Sequence, residues 1–218
     1  FSAEDIEARI GAAPVRKTPQ RNGSIAVLPL YGVIAQRMNL LIMVSGGTST
    51  QMFAAAFREA LADESVKAIV FDVDSPGGSV YGTFELAAEI YQSRGRKPII
   101  AVANSEAASA AYALASAADE VVASPGAMVG SVGVVTVHED VSKSDEMAGV
   151  KMTVIATPDN KAELNPYEPL SEDGRARMEN VAGQYYAMFV ATLSRNRGIP
   201  EETVRAGYGG GRMLTAKE

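Results

Sequence analysis

The chain has 218 residues, 47% apolar and 21% charged, an ordinary globular composition with enough length to bury a core unaided by disulfides or metals. It contains no cysteine, which excludes a disulfide framework and thiol chemistry, and its net charge of −6 gives a nucleic-acid partner no electrostatic support. No apolar run approaches the roughly 18 residues that cross a bilayer, and the most compact, Leu40–Val44, is far shorter. The sequence reads as soluble as given. Its first residue is Phe rather than Met, so it reads as a fragment whose upstream part is open to holding an anchor.

Residues 1–23 read as an arm: a short acidic helix, "SAEDIEARI", then the polar linker "AAPVRKTPQRNG". The folded body, 24–218, opens on "SIAVLPLYGVIAQ", a strand candidate in which Pro29 predicts an edge or a bend. "GGTST" supplies a turn and a helix N-cap, and Met52, Phe53, Ala56, Phe57, Ala60 and Leu61 form a helical apolar stripe. "KAIVFDVD" (67–74) predicts a buried parallel strand broken by "SPGG", followed by a helix with Val80, Phe84, Ala87 and Tyr91 on one face. "PIIAVAN" (98–104) is the next buried strand, and the alanine-rich stretch after it reads as helix. Strand signals follow at 120–123 and 129–137, then a short helix at 141–148 and a strand at "KMTVIA". A long helix over 171–196 stops at Gly198 and Pro200, and its Tyr185, Tyr186, Met188 and Phe189 read as core or subunit interface. Strand–helix units at this spacing predict an α/β domain with right-handed crossovers and a mostly parallel sheet.

In such sheets, sites lie beyond the carboxyl ends of the strands. Two of these ends stand out. "VDSPGGSV" carries Gly77 and Gly78, which let backbone N–H groups approach a ligand, and "ANSEAASAAY" places Ser105 and Ser109 before a helix whose N-terminus favours developing negative charge. A tight turn and a helix cap are the ordinary uses of these residues. A serine nucleophile needs a base. The candidates are His138, the single histidine, and Lys161, which lies among turn-forming residues. A lysine serves only when held neutral, and bringing its pKa from about 10.4 to about 7 costs roughly 4–5 kcal/mol. Chemistry alone leaves the base undecided. "RMNLLIMVSGG" (37–47) reads either as core or as a hydrophobic lip beside a groove.

"DSPGG", "AASAAYALASAADEVVASPGAMVGSVGV" and "NKAELNPYEPL", in that order, resemble the hallmark segments of the signal peptide peptidase A family of serine proteases. The resemblance covers residues 24–216, and "NPYEPL" leans toward the single-repeat members from tailed phages, which act as prohead proteases. It implies the Clp-protease/crotonase-like fold. It implies Ser109 as nucleophile, Lys161 as general base fifty-two positions downstream (161 − 109), and Ser131 as the residue that orients the lysine. Gly78 and the amide of Ala110 match the oxyanion hole, and Gly77, Ser79 and Val80 fall where substrate backbone pairs as an added strand. Ser105 matches no catalytic position and reads as a turn residue, and His138 lies past the point where the Clp proteases carry their histidine. "DNK" departs from the family's usual basic or glycine-rich approach to the lysine, and the chain ends where members continue.

The resemblance therefore implies a serine endopeptidase with a Ser-Lys dyad and no metal or cofactor. Its expected partners are a scaffold or capsid protein as substrate and further copies of itself in a homo-oligomer, located in the cytoplasm or the prohead. A membrane-anchored enzyme degrading cleaved signal peptides is the alternative within the class. An acyl-CoA enzyme of the crotonase type and a catalytically inert peptide-binding or assembly module are the alternatives outside it.

Overall fold

The computed structural model describes residues 19–37 and 46–218. The acidic N-terminal helix and most of the hydrophobic lip fall outside the described residues. Those described fall into two compact units, one within Phe1–Gly133 together with Met188–Glu218, the other Val134–Ala187.

The first unit is built on a mostly parallel sheet. Its strands are β1 (Gln20–Asn22), β2 (Ile25–Ala35), β3 (Thr48–Ser49), β4 (Ala68–Gly78), β5 (Ile99–Ala108), β6 (Glu120–Ala123), β7 (Met128–Gly130) and β8 (Met213–Thr215). The order is β1-β2-β4-β5-β7-β8, with β3 beside β2 and β6 beside β5; only the outer pairs β1–β2 and β7–β8 are antiparallel. Pro29 sits on the stretch of β2 between its short pairings with β1 and β3, where a missing N–H costs no ladder bond. Part of the expected irregular arm is β1, which pairs with Ile25–Val27.

Helices α1 (Thr50–Ala62), α2 (Thr83–Gln92) and α3 (Ala110–Ala115) join the strands and share one core with them. The Ser49 side chain caps α1 by accepting from the Met52 N–H, and Phe53 and Phe57 meet Phe71 of β4 edge-on at 5.1 and 5.7 Å. Met52, expected in that stripe, points outward, and Ala54 is buried with the phenylalanines. On the sheet's other face runs a polar chain: Tyr31 donates to Asp72, Asn104 donates to the same carboxylate, and Ser105 donates to Asp74.

Two strands run further than the sequence suggests. β4 continues through "SPGG" because Gly77 and Gly78 pair with Val33 and Ile34, and β5 continues through "NSEAA" because Glu106, Ala107 and Ala108 pair with β7. Ser105 is consequently a strand residue, and the alanine-rich helix shrinks to six residues. In the other direction, β7 stops at Gly130, since Ser131 turns left-handed at φ 52°. "KMTVIA" forms no strand. The second unit contains α4 (Ser142–Met147) and a 3₁₀ turn, Asp159–Ala162; the long α5 (Glu172–Arg197) starts there, and α6 (Glu201–Gly207) follows it. In α5 Phe189 is buried while Met188 is exposed, so of the four residues read as core or subunit interface Phe189 belongs to the core.

A six-residue helix does not stand alone. All six residues of α3 are buried, and its C-terminal end is held from outside. Arg94, just beyond α2, donates to the carbonyls of Ser116, Ala117 and Ala118 at 2.9, 2.9 and 2.6 Å, where the helix dipole favours a cation. Asn196 of α5 donates to the Ser116 hydroxyl at 2.9 Å. Arg94→Met is expected to lower stability by about 2 kcal/mol, roughly 4–8 °C in Tm. Arg58→Met, which removes only a surface pair with Glu89, is expected to move the melt far less when both are followed by circular dichroism.

Burial, followed by the neighbouring Tyr208, pushes the Tyr112 phenol up to about 12. The folded state therefore keeps a proton that the unfolded chain releases near its ordinary value of about 10. This contribution is complete below pH 10 and is lost as pH rises from 10 to 12. Tyr112→Phe is expected to flatten the fall of stability across that window in denaturant titrations.

Candidate active site

Ser109 is the joint between β5 and α3. Its N–H donates to the Gly130 carbonyl at 2.8 Å, and its own carbonyl accepts the first helical bond from Ala113 at 3.0 Å. Between these two anchors the backbone is forced to φ 51°, ψ −122°, which an L-residue adopts only under strain of roughly 1–3 kcal/mol. Among the described residues only two non-glycines have positive φ, Ser109 and Ser131. They lie side by side. β5 and β7 pair through Ala108↔Gly130, so each serine is the first residue past the end of its strand. Ser131 is tied to the far side by its N–H, which donates to the Arg212 carbonyl at 2.9 Å just before β8.

Gly77 closes the other side. It has φ 96°, and a Cβ placed on it would come within 2.7 Å of the Ser109 Cβ and the Ala108 carbonyl, and 3.0 Å of the Ala110 nitrogen. The backbone can pass there only without a side chain. Gly78 is fixed by a different neighbour, since a Cβ on it would lie 2.0 Å from the Ile34 carbonyl oxygen. The turn is held from within by Ser75, fully buried, whose hydroxyl donates to the Gly32 carbonyl at 2.6 Å and accepts from the Gly77 N–H at 3.1 Å. Beyond the glycines, the Ser79 N–H is already committed to the Ile34 carbonyl at 2.8 Å, and its carbonyl accepts from the Thr83 hydroxyl.

The first unit thus brings together Gly77, Gly78, Ser109, Ala110 and Ser131. Lys161 belongs to the second unit, exposed on the 3₁₀ turn Asp159–Ala162, where its N–H donates to the Pro158 carbonyl at 3.0 Å. His138 is in that unit too, and its Nε2 donates to the Asn165 carbonyl at 3.0 Å. A cavity of about 270 Å³ in the second unit is lined by Asp159, Glu163, Asn165 and Glu168 among others, and by neither serine. Among the described residues, no group of His, Cys, Asp or Glu is arranged to hold a metal, and no helix is long and apolar enough to cross a membrane. Within "SPGG" the sequence points to Gly77 and Gly78, and Ser75 is not among the expected site residues. A serine directly before a proline and two glycines is the one signal that marked it.

With its mostly parallel sheet, the chain has the Clp-protease/crotonase-like fold. The fold is shared with the 1510-N membrane-bound stomatin-specific protease, in a serine-to-alanine mutant form, at a TM-score of 0.52 over 91% of this chain and 76% of that one, with 15% identity. The model of Peptidase family S49 matches residues 92–218, more than half of the chain, and the chain belongs to that family. It is 34% identical over 194 residues to the capsid assembly protease C of Escherichia phage lambda, covering 89% of this chain and 44% of the relative. Identity to the head-tail preconnector protein GP5 of Enterobacteria phage P21 is 33%, covering 89% and 38%. Protease 4 of Salmonella typhi is 32% identical, covering 83% and 29%. The chain spans less than half the length of these curated relatives.

If positive φ is the source of strain, a glycine should relieve it while an alanine should not. Ser109→Gly is expected to gain about 1 kcal/mol of stability, and Ser109→Ala to gain none. Gly77→Ala is expected to lose stability, because its methyl meets backbone that cannot yield. Urea titrations of the three variants read all of these changes.

Proposed function

We propose that the protein is a serine endopeptidase in which Ser109 is the nucleophile and Lys161 the general base. The observation that carries this reading is the left-handed conformation of Ser109 with Gly77 pressed against it. Such strain is retained where it positions a group for chemistry. In the proposed reaction the Ser109 hydroxyl attacks a peptide carbonyl while neutral Lys161 takes its proton. The amides of Gly78 and Ala110 stabilise the oxyanion, and Ser131 orients the lysine. The lysine then returns the proton to the leaving amine, and water hydrolyses the acyl-enzyme. Gly77, Ser79 and Val80 are the positions proposed to lie beside an extended substrate strand.

The phage relatives, matched along most of this chain, support a role in capsid maturation. The substrates would then be scaffold or capsid protein, the enzyme a homo-oligomer, and its place the prohead or the host cytoplasm. The likeness to Protease 4 supports the second reading, degradation of cleaved signal peptides at a membrane. Digests of the two substrate classes separate these readings.

A fluorophosphonate probe tests the chemistry. Wild type is expected to be labelled at Ser109, identified by peptide mass. Lys161→Ala is expected to lower the labelling rate by at least about 100-fold, as loss of a general base does, while His138→Ala keeps it within about two-fold. The opposite pattern would make His138 the base.

A further inference from the structure

We propose that Ser75 is a positioning residue of the active site, holding the Gly77–Gly78 turn so that the Gly78 amide stands where it receives the oxyanion. This rests on the reading of Ser109 as nucleophile. The register of β2 and β4 is irregular just before that turn. Tyr31 pairs with Asp74 and Val33 with Gly77, so Gly32 alone stands opposite both Ser75 and Pro76. This is a β-bulge, two residues against one, and it disrupts the ladder locally. At that point the Gly32 carbonyl and the Gly77 N–H do not meet in the regular register, and Pro76 has no N–H to offer.

The Ser75 hydroxyl takes up both groups. It donates its single proton to Gly32 at 2.6 Å and accepts from Gly77 at 3.1 Å, at a site with 0% exposure where water is no substitute. The pairing of β4 with β5 is irregular at the same level, jumping from Val73↔Ala103 to Ser75↔Ala107. The ladder is therefore irregular toward both neighbouring strands at this stretch of β4, shifting around Ser75 on the β2 side and just before it on the β5 side. What lies downstream is Gly77, where an added Cβ would come within 2.7 Å of the Ser109 Cβ and 3.0 Å of the Ala110 nitrogen. An oxyanion hole works only when its donors are placed before the charge develops. Ser75 touches neither substrate nor nucleophile and acts through the Gly77 amide.

The test is inactivation by an alkyl fluorophosphonate, resolved into the limiting rate kinact and the binding constant KI. It is run well below the melting temperature of each variant as measured by circular dichroism. Ser75→Ala is expected to lose at least about ten-fold in kinact with KI within about two-fold, because loss of aligned donors affects the transition state and not the encounter. Ser75→Cys keeps a weak donor and acceptor of similar size, and its kinact is expected between the two; it carries the test if the alanine variant does not fold. In Gly77→Ala, where the turn is already displaced, the further change Ser75→Ala is expected to add less than its effect in wild type. A folded Ser75→Ala or Ser75→Cys protein with wild-type kinact overturns the inference, as does a loss that only tracks the unfolded fraction. Absence of labelling at Ser109 in wild type overturns instead the reading beneath it, and the inference falls with it.

Discussion

The close approach of Gly77 to Ser109 is the constraint on which the first unit's site depends. One backbone passes so near the other that no Cβ fits between them, and this contact fixes the end of β4 against the start of α3. Everything around it supplies the force. The Ser109 N–H is tied to β7, its carbonyl starts the helix, and the helix is buried along its whole length. Strain of a few kcal/mol at one residue persists only when its surroundings over-determine it. Here a fully buried helix, three carbonyls held by Arg94 and a bond from Asn196 do so.

This arrangement explains the alanines. Ala110, Ala111 and Ala115 are small enough to let α3 lie against the sheet, with Leu114 filling the remaining depth of the core. A bulkier residue would push the helix away and take Ser109 off the end of β5 with it. The run is therefore a spacing device. Its first residues belong to a strand, and Ser109 alone makes the turn between the two.

The order of elements and the parallel sheet were legible from periodic apolar runs, since "IVFDV" and "IIAVA" are buried strands by composition alone. The ends of the elements were not. "SPGG" and "NSEAA" contain residues that weaken strands locally, yet both are paired because a neighbouring strand presents its edge to them. "KMTVIA" shows the reverse, having the right residues and no strand beside it among those described. β-propensity becomes a strand only with a partner. The same holds at the site. Ser109, Gly77 and Ser131 were marked by motif, but their left-handed backbones and mutual contacts are tertiary facts. Ser75 is marked in the sequence only by its place before "PGG", because its role is a bond between a residue of β2 and the turn that follows it.

On the function proposed above, the strained serine and the glycine turn form one preorganised oxyanion site. A crystal structure of the fluorophosphonate adduct tests it most directly. Phosphorus is expected on the Ser109 Oγ, with the phosphoryl oxygen within about 3 Å of the amides of Gly78 and Ala110. Phosphorus on another residue, or a phosphoryl oxygen turned to solvent with those amides bonded elsewhere, would contradict it.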